Sequence, residues 1–128
     1  MNILYEAHWF IPWAILVVGM VAIIKFARGY MNEAAFTRLD RGLMTGFRGL
    51  LDLQAAIGFI YFLRIGFLGL GFPTYRILHG IIMLAALAVA HLSVLWKNAD
   101  DRTRFINNFY VLLVSFLLML LGISLIPN

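Results

Sequence analysis

The chain has 128 residues, of which 63% are hydrophobic and only 12% charged, with three histidines, no cysteine and a formal net charge of +4. Its mean hydropathy of +0.93 leaves too little polar surface for a soluble globule, so the composition predicts an integral membrane protein. The missing cysteines exclude disulfides, thiolate metal sites, iron–sulfur clusters and covalently attached c-type haem.

The first apolar run extends from Trp9 to Ile24. Glu6 and His8 precede it where a signal peptide would carry its basic region, so it reads as a retained span and not as a cleaved leader. The segment that follows is basic, with Lys25, Arg28, Arg38, Arg41 and Arg48, and Thr37 and Asp40 have capping-box spacing for a second helix. That second run, Leu53 to Leu63 with a continuation to Phe72, reaches crossing length only if Arg48, Asp52, Gln54 and Arg64 lie inside or beside it. Its polar side is therefore expected to turn toward protein and away from lipid. Gly66, Gly69, Gly71 and Pro73 predict a break before the third run, Ile77 to Trp96, which carries His79, His91 and Ser93. Lys97, Arg102 and Arg104 follow, with Asp100, Asp101 and Thr103 as N-cap candidates for the last run, Phe109 to Ile126. Trp9, Trp13, Tyr75, Trp96 and Tyr110 fall near span ends, where amphipathic rings favour the interface.

These runs predict an all-α fold: one transmembrane four-helix up-down-up-down bundle with spans near 9–28, 44–70, 76–96 and 105–126. Eight of the ten basic residues fall in the first and third connections, and only Arg64 and Arg76 lie at the other end. That split puts both connections in the cytoplasm and both termini on the outer side of a bacterial cytoplasmic membrane. The net charge is then a topological signal and carries no implication of nucleic-acid binding.

His8 and His79 lie at the same end of spans one and three, which sit diagonally in such a bundle. Taken singly, each reads as an interfacial or helix-end histidine. Together, imidazoles at matching depth across a core suit the two axial positions of a b-type haem, provided they approach within about 6 Å, since two bonds of ~2 Å must meet at one iron. Arg76 stands one turn before His79, and with Arg64 it is a candidate partner for haem propionates, the plainer role of both being snorkelling to headgroups.

His91 lies twelve residues after His79, roughly 18 Å along the helix and 120° around it, so one haem cannot use both. A second haem would need Met20 as its other ligand, whereas Asp52 lies at similar depth to His91. Arg48, Asp52, Gln54 and His91 are accordingly expected to form an inner polar cluster, as a structural clamp or as a proton or quinone site. Gly80, Ala85, Ala86, Ala88 and Ala90 permit close approach of a helix or of a flat ring.

The order of these residues carries a resemblance. His8 before the first span, Asp40-Arg41 before the second, Asp52-Leu53-Gln54 with Gly58 and Tyr61 within it, then Arg76, His79-Gly80-Ile81-Ile82-Met83 and Ala90-His91 resemble the small four-span bacterial membrane proteins labelled "cytochrome B", from His8 to Pro127. The resemblance implies a b-type haem, with His8 and His79 as ligand candidates and Gln54 and His91 as inner polar positions. A more distant likeness is to the membrane protoporphyrinogen oxidase and copper-resistance D group. The chain departs from the oxidase pattern because its third-span lysine, Lys97, stands at the very end.

Three function classes follow. One is a b-type cytochrome with a single haem near the outer face, transferring electrons as a subunit of a larger respiratory or photosynthetic complex. Another is a cofactor-free accessory subunit of such a complex. The third is a small membrane enzyme acting on tetrapyrrole or quinone, with Asp52 and His91 as an acid–base pair.

Overall fold

In the computed structural model, which describes residues 3–127, the chain is all-helical. Helix α1 spans Ile3–Met31, α2 Arg38–Ile65, α3 Thr74–His91 and α4 Asp101–Ser124. A π-helical turn, Gly66–Leu70, extends α2, and a 3-10 stretch, Leu92–Trp96, extends α3. All four are long and apolar enough to cross a membrane. α1 outruns its apolar run at both ends, and α2 and α4 begin well before theirs.

The start of α2 shows how the sequence does this. Thr37 Oγ1 accepts from the Asp40 N–H, while Asp40 Oδ2 accepts from the Thr37 backbone N–H at 2.8 Å and from its hydroxyl at 3.0 Å. Both orphan amides are satisfied reciprocally, and Asp in place of the usual Glu still closes the box. At the start of α4, Asp100 occupies the N-cap without a side-chain cap bond. At the far end of α2 the helix unwinds at Gly69 (φ 113°) and Gly71 (φ 70°), left-handed conformations that glycine adopts without a Cβ penalty. Pro73 then starts α3.

Consecutive helices pack together and α4 closes against α1, leaving α1 and α3 on a diagonal. At the basic end Phe26, Phe36 and Phe105 are all buried, with ring centres 5.0–5.9 Å apart, and Gly29 makes room for the Phe105 ring. Midway, the bare backbone of Gly19 receives Phe116 beside Phe47. Above it, buried Ser115 donates to the Ala86 carbonyl at 3.3 Å.

α2 is the least enclosed helix and α4 the most. The expected inward turn of its polar side holds in part: Arg48 and Gln54 bond to neighbouring elements, whereas Asp52 is exposed even though it meets His91, and Arg64 is exposed. Met20 is 45% exposed and faces away from the core, which removes it as a ligand across the bundle.

Candidate functional site

The diagonal brings His8 and His79 together. Their ring centres are 6.4 Å apart with the planes at 80°. The contact is edge-on, with the ring centres near the about 6 Å approach that one shared iron would require.

Local structure fixes each ring. The His79 ring Nδ1 lies 2.8 Å from the Gly122 carbonyl, a contact that calls for Nδ1–H as donor and leaves Nε2 as the lone-pair nitrogen. The neighbouring bare backbone of Gly122 accommodates Met83. His8 is half-buried, and its ring lies where a side chain at residue 58 would be: a Cβ on Gly58 would stand 2.7 Å from His8 Cε1. Tyr61, one turn on along the same helix, stacks with it, ring centres 6.2 Å apart. Gln54, one turn before Gly58, donates its Nε2–H to the His8 carbonyl at 2.8 Å. In sequence, Gly58 and Tyr61 stood only within the pattern of the resemblance. Their spacing from Gln54, four and seven residues, is the signal that puts all three on one helix face.

Folding leaves this end chemically incomplete. Among the described residues, four buried side-chain atoms have no hydrogen-bond partner, and three are here: His8 Nδ1, Gln54 Oε1 and Arg76 Nη1. Arg76 lies one turn before His79, its guanidinium 5.7 Å from the Tyr75 ring centre. Arg64 is exposed and makes no ion pair among the described residues.

Compared with family models, curated proteins and solved structures, the chain matches none. Its chemistry has to be read from the site itself.

Among the described residues no three His, Asp or Glu side chains converge as a protein-only metal site requires. A macrocycle that brings four donors of its own needs only two from the protein. At this end an imidazole nitrogen of His8 and one guanidinium nitrogen of half-buried Arg76 are buried without a protein partner.

The expected inner cluster divides. His91 Nε2 and Asp52 Oδ1 do meet, at 2.7 Å. Arg48 does not join them: it donates to Ser93 Oγ and, at 3.4 Å, to Thr45 Oγ1, partners one turn away on its own helix and across on the 3-10 stretch. Gln54 belongs to the His8 end, because it lies one turn before Gly58 and bonds the His8 carbonyl.

The Asp52–His91 pair is also exposed, with 51% and 44% of the two side chains accessible. Contacts at Gly19 with Phe47 and at His8 with Gly58 fix the α1–α2 register, which puts Asp52 level with Ala14, inside the apolar run Trp9–Ile24. The pair therefore lies at hydrocarbon depth on the outer surface of the bundle.

One ion pair was missed from sequence. Lys25, on α1, pairs with Asp40, which is fully buried at the start of α2. Only the capping role of Asp40 had a local signature.

Proposed function

We propose that this protein is a small b-type cytochrome, a haem-binding electron-transfer subunit of a larger membrane complex. The observation that carries this reading is the His8–His79 pair across the α1–α3 diagonal, with an unpartnered nitrogen on His8 and an unpartnered guanidinium nitrogen on Arg76 beside it.

In this reading His8 and His79 hold the iron, and the Gly122 carbonyl fixes the His79 tautomer that leaves Nε2 free to bind. Arg76 neutralises a propionate, with Arg64 at the rim. A bound haem supplies reversible one-electron chemistry, and the chain's part is ligation, charge compensation and exclusion of water. The eight-to-two split of basic residues supports a cytoplasmic basic end, both termini outside and a bacterial cytoplasmic membrane.

The exposed Asp52–His91 pair supports the subunit part. A carboxylate and an imidazole facing hydrocarbon cost at least ~2.5 kcal/mol for the charged group unless something polar covers them, whether a neighbouring subunit or the head of a quinone. The same pair favours the second reading, a cofactor-free accessory subunit.

One experiment separates the two. Protein purified with haem supplementation should give sharp b-type bands in a reduced-minus-oxidised spectrum, lost in His79→Ala. A colourless preparation of folded protein would leave the accessory subunit.

A further inference from the structure

Between α2, the 3-10 stretch and α4, at the basic end, lies a cavity of about 150 Å3. Its polar lining includes Arg41, Arg48, Lys97, Arg104, Ser93 and Asn108, and neither Asp nor Glu contributes. Neutral groups hold two of the cations: Arg48 donates to Ser93 and Thr45, and the Arg104 guanidinium lies 4.2 Å over the Phe36 ring. Arg41 and Lys97 are exposed and form no ion pair among the described residues. Asn108 is only 5% exposed, and its Oδ1 is the fourth buried atom without a partner.

Four cations around one cavity with no counter-charge create a positive potential that the low dielectric of the bundle strengthens. The α1–α2 register puts Arg41 level with Lys25, just past the apolar run that ends at Ile24, which is headgroup depth. Asn108 also lines the cavity, and its Nδ2–H2 is the end of the carboxamide that can donate to a bound oxygen, Oδ1 being an acceptor.

We propose that this cavity binds a phosphate-bearing anion, either the phosphate of an acidic lipid headgroup or free phosphate. Arg41 and Lys97 supply the charge, Arg48 and Arg104 flank the oxygens with guanidinium N–H groups, and Asn108 donates from the floor. The site lies at the opposite end from His8 and does not depend on a haem.

The test uses the full-length protein in uncharged detergent, titrated separately with phosphatidylglycerol, phosphatidylcholine and inorganic phosphate, with bound species counted by native mass spectrometry. One phosphatidylglycerol should be retained in preference to phosphatidylcholine, and Arg41→Gln/Lys97→Gln should weaken it on the order of tenfold or more. Arg28→Gln/Arg38→Gln removes as much charge from the same end outside the cavity and should change affinity less than about twofold. Asn108→Leu should also weaken binding, with helix content from circular dichroism confirming that it folds. Saturable binding of inorganic phosphate with the same dependence on Arg41 and Lys97 would identify the free anion as the ligand. Absence of saturable binding by either probe, or equal loss in the two double variants, overturns the proposal.

Discussion

The two ends of the bundle are built differently. At the basic end, aromatic rings interlock around Gly29, a capping box starts α2, and buried Asp40 is met by Lys25 and Thr37 together. At the His8 end the helices enclose two imidazoles, a carboxamide and a guanidinium, and three of these groups keep a buried atom without a partner. An unsatisfied buried polar atom costs roughly 1–3 kcal/mol, so packing does not account for that end. Among the described residues the basic end keeps one such atom, Asn108 Oδ1, so the contrast is one of degree: interlocked packing dominates there, and unpartnered polar groups dominate at the His8 end.

The strongest way to break this comparison is to truncate one side chain at each end. Phe105 is 1% exposed and touches both other rings of its cluster, so Phe105→Ala should destabilise by about 3–5 kcal/mol, read as a fall in the denaturation midpoint of the detergent-solubilised protein. His79→Ala should cost about 1 kcal/mol, one hydrogen bond to Gly122, while abolishing the b-type spectrum. If His79→Ala unfolds the protein as readily as Phe105→Ala, the histidines are structural and the contrast is gone.

A sharper version adds one methyl group at each end. A Cβ at residue 29 would stand 2.5 Å from the Phe105 ring, and one at residue 58 would stand 2.7 Å from that of His8. Phe105 is locked among buried rings, so Gly29→Ala should cost about 1–3 kcal/mol through overpacking. His8 is half-buried where Phe105 is fully enclosed, so Gly58→Ala should cost less stability than Gly29→Ala while displacing the imidazole and weakening haem retention. Equal losses of stability at the two positions would show that both rings are equally fixed.

The same contrast marks what was legible in the sequence. Helix number, the break at Gly66 to Pro73 and the Thr37–Asp40 box follow from periodicity and local chemistry, which act between neighbours in the chain. The diagonal approach of His8 and His79 was accessible because antiparallel helices of known length fix depth. Lateral facing was not: the exposure of Asp52, the pairing of Arg48 with Ser93 and the place of Gln54 beside His8 depend on how α2 rotates about its axis. In a membrane-spanning helix an apolar side does not announce that rotation, because it can face lipid as readily as protein. The Lys25–Asp40 pair was hidden for a related reason, because a carboxylate that already caps its own helix gives no sign of a partner on another.

Thr37→Ala tests how far the basic end relies on local chemistry. It removes the Asp40 N–H to Oγ1 cap bond and the hydroxyl's bond to Asp40 Oδ2 while leaving Lys25 on Asp40, so the loss should be about 1–2 kcal/mol, again as a shift in denaturation midpoint. A loss several times larger would mean that the cap also positions Asp40 for the ion pair, making the two devices a single unit.

The smallest effect expected is electrostatic and belongs to the His8 end. Arg76 and Arg64 carry the same charge, but Arg76 has a buried, unpartnered nitrogen one turn from His79, whereas Arg64 is exposed. A cation beside a haem favours the reduced state, which carries one more negative charge. Arg76→Gln should therefore lower the midpoint potential in a redox titration of the haem-bound protein, and Arg64→Gln should move it less because solvent and headgroups screen the exposed charge. If the two substitutions shift the potential equally, Arg76 is not the group that compensates the propionates, and its orphaned nitrogen needs a different partner.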